Sequence, residues 1–155
     1  MSGAEIAAFI SDHGTAVLTT LRADGWPVPL PVWYVAMDGA LYFQTPVRSR
    51  KVGNIERDAR VAVLIEDGER WAQLRGVLIA GAAEVVADEA LRSRVLTAFD
   101  ELFADLKVPA GQLPRAMSAT YADMAVFRVP LPAEPVSWDN RKVRLRTHPL
   151  DDPPA

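Results

Sequence analysis

The chain has 155 residues, half of them apolar, and a formal net charge of −3. That length fits one domain with a sizeable core, and the acidic balance argues against a general nucleic-acid binder. Cysteine is absent, which excludes disulfides, thiol catalysis and thiolate metal sites.

The opening stretch M-S-G-A-E-I-A-A-F-I-S-D-H carries Glu5 and Asp12 and no basic run, so it does not read as a signal peptide. The longest uncharged run, residues 25–37, is too short to span a bilayer and holds three prolines. A soluble, cytoplasmic protein with no membrane partner is expected.

Ile6, Phe9 and Ile10 share a helical face and predict a short helix over residues 4–11. Residues 15–22 are rich in β-branched side chains and read as a strand. Ala23-Asp24-Gly25 turns the chain into a return strand over residues 26–37, and Asp38-Gly39 turns it again into a strand over residues 40–45. A short helix follows over residues 49–57, with Ser49 as its N-cap and Val52 and Ile55 toward the core.

Residues 59–66 form a further strand, turned by Asp67-Gly68. Residues 71–86 read as one long strand, with a bend or bulge expected near Gly76 or Gly81. Leu91, Val95, Ala98, Leu102 and Leu106 predict an amphipathic helix over residues 88–106. Residues 109–114 are a loop, residues 125–129 a strand, and residues 135–138 its continuation after a break. The domain is expected to span residues 1–147, with a frayed tail over 148–155. Short antiparallel strands with few helices suggest a small β-barrel.

Pro27, Pro29 and Pro31 alternate along the second strand, so all three delete N–H donors on the same side of it. That side is an unpaired edge or a gap in the barrel. Protection of an edge against aggregation and a slot for a flat ligand, walled by Trp33, both account for the pattern.

The two histidines, His13 and His148, stand near opposite ends and make no ligand set. No nucleophile-elbow, dinucleotide-binding or phosphate-loop motif occurs. The remaining concentration of chemistry is T-P-V-R-S-R-K, where a strand gives way to a helix. Arg48, Arg50 and Lys51 bring positive charge to a helix start, where acidic residues are the usual occupants. With the hydroxyls of Thr45 and Ser49 and the free N–H groups of the helix, these are the ingredients of a phosphate site. A charged surface turn is the alternative. A second basic cluster, N-R-K-V-R-L-R at residues 140–146, reads as a solvated tail or as a neighbour of a polyanionic ligand.

Several stretches together resemble the pyridoxamine 5′-phosphate oxidase-like superfamily of flavin- and deazaflavin-binding split β-barrels. These are T-L-R-A-D-G-W-P-V-P-L-P-V-W-Y, then L-Y-F-Q-T with S-R-K-V-G-N-I-E-R-D-A-R-V-A-V-L, then R-G-V-L-I-A-G-A-A-E-V and the late V-S-W-D-N-R-K. The resemblance implies a mainly β fold: a six-stranded antiparallel split barrel with a few flanking helices, forming a homodimer with cofactor sites at the subunit interface. It implies that Ser49, Arg50 and Lys51 hold the cofactor phosphate with Thr45 nearby, and that the ring lies along Pro29, Leu30, Pro31 and Trp33. It further implies that Trp138 and Lys142 approach from the partner subunit.

True pyridoxamine phosphate oxidases carry an Arg and a Lys in an R-x-V-L-L-K pattern on the second strand, and this chain has Leu30 and Val35 there. The P-V-W-Y form is more similar to the branch that uses the deazaflavin coenzyme F420, whose acidic tail would give Arg48 a use. The resemblance therefore implies an F420-dependent oxidoreductase that passes a hydride to an activated double bond or carbonyl of a small organic substrate. No side chain is singled out as a catalytic acid or base. An FMN-binding reductase or oxidase of the same fold is the alternative. A non-enzymatic flavin or haem binder and a barrel binding single-stranded nucleic acid are readings from other classes, the last disfavoured by the acidic balance.

Overall fold

The structure is a computed structural model and describes residues 1–108 and 112–144. Its strands are set by tight turns. Asp38 and Gly39 both take positive φ, 50° and 70°, the backbone twist that joins two paired strands most directly. They connect β3 (Val35–Met37) to β4 (Ala40–Pro46), with Met37 opposite Ala40. Before them, β1 (Thr15–Leu21) and β2 (Pro27–Trp33) pair without a break, from Thr15 opposite Trp33 to Leu21 opposite Pro27. β5 (Arg60–Asp67) turns at Gly68 through a 3-10 turn at Trp71–Gln73 into β6 (Arg75–Ala82). Gly68 has φ of 106°, and a Cβ there would fall 2.5 Å from the Gln73 carbonyl oxygen. β7 (Glu84–Val85), β8 (Met124–Pro130) and β9 (Val136–Asp139) complete the strands.

Four α-helices are described. α1 (Gly3–Asp12) starts on a capping box in which the Ser2 hydroxyl accepts the Glu5 N–H and the Glu5 carboxylate accepts the Ser2 N–H. α2 (Arg50–Arg57) follows β4, α3 (Glu89–Leu102) follows β7, and α4 (Arg115–Thr120) precedes β8.

All pairings are antiparallel. One sheet runs β2-β1-β5-β6-β9 and the other β3-β4-β8-β7. The chain passes from the first sheet to the second at Tyr34 and again at Ala83. At both corners the backbone stays tied to the first sheet's side: the Tyr34 N–H donates to the Gly14 carbonyl at 3.0 Å, and the Ala83 N–H to the Ala59 carbonyl at 2.8 Å. The buried Tyr34 hydroxyl also donates to the Ile10 carbonyl at 2.6 Å, pinning α1 over the corner. Joined across these corners, the strands give the six long strands of a split barrel, β1, β2–β3, β4, β5, β6–β7 and β8, with β9 added beside β6. The expected fold class is therefore present, with nine separate strands in place of six.

The expected long strand over residues 71–86 is a 3-10 turn, β6, a corner and β7. The break falls at Ala83, near Gly81 as expected. Gly76 instead makes room for a side chain, since a Cβ there would lie 2.4 Å from Trp138 Cζ2. The helix expected over residues 88–106 ends at Leu102 and passes into a 3-10 turn at Ala104–Leu106. Its buried residues are Val95 and Phe99, followed by Phe103, while Leu102 and Leu106 are exposed. The aromatic rings decide this phase: Phe99 and Phe103 stack at 5.6 Å, and Phe103 stacks on Trp33 at 4.7 Å with 4° between the planes. α4 had no counterpart among the expected elements. The tail expected over residues 148–155 lies outside the described residues.

Two apolar clusters fill the interior. The larger joins α1, α2 and strands of both sheets around Val63, Ile65, Val77 and Ile79, all fully buried. Val52 and Ile55 belong to it, as their spacing predicts. The smaller places Val95, Phe99 and Phe103 against Tyr42 and Val126. As the proline pattern predicts, β2 is an outer strand whose one strand neighbour in its sheet is β1. The prolines occupy alternate positions opposite Leu21, Thr19 and Val17, which leaves their missing N–H groups on the unpaired side.

Candidate functional site

β4 delivers Thr45 to its buried end, and the chain then turns into α2. The turn is fixed by the Ser49 N–H, which donates to the Pro46 carbonyl at 2.9 Å, and by the Val47 N–H, which donates to the Asp123 carbonyl at 3.1 Å. Ser49 has extended φ and ψ and caps α2 by accepting the Val52 N–H at 3.4 Å. Its hydroxyl also lies 3.2 Å from that of Thr45. The first turn of α2 contains no acidic residue.

Lys51 is half-buried, and burial holds its ammonium below the usual lysine value. Arg48 and Arg50 are exposed on the same turn. Among the described residues none of these three cations has a carboxylate partner. The arrangement combines two hydroxyls, a helix start and an uncompensated, partly desolvated ammonium, a donor set suited to an oxyanion.

Lys51 opens into a cavity of about 600 Å³. Pro31, Val32 and Trp33 of β2 form one side, and Gln44, Thr45 and Pro46 of β4 form the floor beside Lys51. The rest of the lining comes from α3 and the region between α3 and β8, including Leu106, Val108, Met117 and Tyr121, with Asp100 and Lys107. Asp100 and Lys107 are paired with each other.

The structure thus brings Pro31, Trp33, Thr45 and Lys51 to one cavity, with Ser49 joined through the Thr45 hydroxyl. Arg48 and Arg50 flank it without lining it, and Pro29 and Leu30 lie farther along β2. Trp138 and Lys142 are not part of it within one chain. Trp138 sits on β9 at the opposite edge of the sheet from β2, and the Lys142 ammonium donates to both carboxylate oxygens of Glu5 at 2.7 Å. The second basic cluster is partly neutralised from within, since Arg141 also pairs with Asp139 at 2.6 Å. Arg146 lies outside the described residues.

Sequence reasoning missed the α3–α4 lining. Met117 lies on α4, a short helix with no strong periodicity, and Tyr121 caps its C-terminus, while Asp100 and Lys107 fall where the buried phase of the helix differs by one residue from the expected spacing. No local signal in the sequence marks them.

Among the described residues no cluster of His, Asp or Glu is placed to hold a metal. His13 Nδ1 is engaged with the Phe9 carbonyl at 2.6 Å. Among the described residues no helix is long and apolar enough to cross a membrane.

The two sheets, joined at Tyr34 and Ala83, define a split barrel with a cavity beside its outer strand. The family described as pyridoxamine 5′-phosphate oxidase matches residues 2–128, and the chain belongs to that family. Protein Rv2991 of Mycobacterium tuberculosis is 32% identical, with a TM-score of 0.75 over 91% of this chain and 86% of that one. Two more distant structures share the fold. The heme storage protein HutZ of Vibrio cholerae is 17% identical, with a TM-score of 0.68 over 86% of this chain and 92% of its own. A FAD-binding protein of Mesorhizobium loti is also 17% identical, with a TM-score of 0.62 over 84% and 88%. No curated protein matches the sequence.

Proposed function

We propose that this chain is a homodimeric, F420-dependent oxidoreductase acting on a small organic substrate with an activated double bond or carbonyl. The observation that carries the reading is Lys51: a half-buried ammonium without a carboxylate partner among the described residues, in a cavity also lined by Pro31, Trp33 and Thr45. Lys51 holds the phosphate by a charge-assisted hydrogen bond, and the Thr45–Ser49 hydroxyl pair and the α2 N–H groups supply further donors. Arg48 and Arg50, exposed on the same turn, meet the anionic groups that extend past the phosphate.

The outer strand β2, stripped of N–H donors on its free side, offers a flat surface for the ring. Trp33, fixed by its stack on Phe103, keeps that wall rigid and excludes water. When bound, the deazaflavin supplies the hydride chemistry, and the protein supplies position and dryness. Leu30 and Val35 stand where the family's FMN-gripping Arg and Lys belong, and Val35 is buried in the smaller apolar cluster. That substitution favours F420 over FMN. In the homodimer Trp138 and Lys142 of one subunit approach the cavity of the other.

Titration of the purified protein with F420 and with FMN, followed by fluorescence quenching, tests the reading. Preference for F420 is expected. Preference for FMN moves the chain to the FMN-dependent reductases, and binding of neither overturns the assignment. Reduced cofactor that no candidate acceptor reoxidises would mark a non-enzymatic binder; the Vibrio neighbour is described as a heme storage protein.

A further inference from the structure

The cavity lining is of two chemical kinds, and one of them is left unused by a phosphate and a ring along β2. Leu106, Val108, Met117 and Tyr121 line its α3–α4 wall with exposures of 64%, 55%, 45% and 50%. Large apolar residues scattered singly on a surface need no explanation, but four converging on one concavity do.

The charge distribution separates the two kinds further. Lys51 is the uncompensated charge among the described lining residues, whereas Lys107 is neutralised by Asp100. An anion is therefore favoured beside Lys51 and gains nothing beside the α3–α4 wall. The volume of about 600 Å³ is in the range of small-molecule sites.

We infer that the α3–α4 wall is a second subsite, selecting an uncharged, apolar molecule as the hydride acceptor. This rests on the assignment of Lys51 to the cofactor phosphate. Met117 and Tyr121 contact the acceptor, and the Asp100–Lys107 pair excludes a charged one by removing the local field a lone lysine would create.

The test uses the full chain and two fluorescent probes of similar shape, neutral N-phenylnaphthylamine and its anionic relative anilinonaphthalene sulfonate, with inorganic phosphate present at saturation. The wild type prefers the neutral probe. Met117→Glu weakens that probe by about tenfold or more, because a carboxylate must be desolvated beside it. Lys51→Ala leaves the neutral probe within about twofold while weakening phosphate. Asp100→Asn frees Lys107 and shifts preference toward the sulfonate. Should Met117→Glu lose its native circular dichroism, Leu106→Glu at a more exposed position carries the same measurement.

Unchanged affinity of the neutral probe for a folded Met117→Glu or Leu106→Glu variant overturns the subsite. So does wild-type preference for the sulfonate, or a change of oligomeric state in sedimentation on either substitution, which would make the wall a subunit contact. If the neutral probe follows Met117 while phosphate ignores Lys51, the cofactor assignment fails and the apolar subsite stands.

Discussion

Thr45 and Ser49 hold their hydroxyl oxygens 3.2 Å apart, one near the end of a strand and the other on the cap of the helix that follows. The same Ser49 oxygen serves the helix and faces the proposed phosphate. Ser49→Ala is expected to lower stability by about 1 kcal/mol through loss of the cap. For a chain of this size that is about 2–4 °C in thermal midpoint, measured by circular dichroism. Ser49→Asp, which keeps a cap but adds negative charge, restores the midpoint and abolishes phosphate binding.

Lys51→Ala should weaken F420 by roughly ten- to a hundred-fold, the equivalent of about 1.5–3 kcal/mol for a hydrogen bond to a charged group. Fluorescence titration reads the change directly, and unchanged affinity would remove Lys51 from the site. The pH dependence has a definite sign. Burial disfavours the ammonium, so the folded chain releases this proton at lower pH than the unfolded chain does. A bound phosphate favours the ammonium. Phosphate affinity therefore falls as pH rises through the lowered Lys51 value, and Lys51→Ala abolishes that dependence.

Gly76→Ala would set a methyl carbon 2.4 Å from Trp138 Cζ2. Either β9 shifts or the indole leaves its place, at a cost of about 1–3 kcal/mol by the usual measure of overpacking. Denaturant melts of Gly76→Ala, Trp138→Ala and the double variant resolve the coupling: the double variant is expected to lose less than the sum of the singles. Strict additivity would show that the two positions do not press on each other.

The Glu5–Lys142 pair gives an acid-side prediction. Hydrogen bonding from Lys142, with help from Ser2, holds the Glu5 carboxyl at about 2, below its ordinary 4.5. A depressed carboxyl stabilises the fold above its unfolded value and loses that contribution as pH falls through the folded one. Lys142→Met should therefore be less stable than wild type at neutral pH, with the gap closing as pH falls from 4.5 towards about 2. Urea melts at stepped pH check it, and a pH-independent gap would mean that Lys142 acts through packing.

Much of the barrel was legible because its turns are local chemistry. Asp38-Gly39 and Asp67-Gly68 announce hairpins, and Pro27, Pro29 and Pro31 announce an outer strand before any partner is known. The corner at Tyr34 was not legible, and the one at Ala83 only as a bend near a glycine. Tyr34 and Ala83 are ordinary strand residues, and they become corners through backbone bonds to Gly14 and Ala59, contacts distant in sequence. The phase of α3 was misread because Leu102 and Leu106 continue the helical spacing, while Phe99 and Phe103 win the interior by stacking with Trp33. At the site, the cationic turn was visible as a local anomaly. The α3–α4 lining was not, because Met117 and Tyr121 gain meaning through the cavity they share with Lys51.

The tie between Glu5 and Lys142, with the Met1 amino group donating to the Ser137 hydroxyl at 3.4 Å, has a consequence for biogenesis. The β1–β2 and β5–β6 hairpins are contiguous in sequence and close as soon as they clear the ribosome. β9, the strand that completes β6 and meets the start of α1, is made more than 50 residues after β6 ends. Throughout that interval the nascent chain carries an open β6 edge and an α1 lacking its last tether. Chaperone capture and strand-exchange errors are therefore expected to concentrate there, and a ribosome-stalled chain truncated before Val136 is the species in which to look for them.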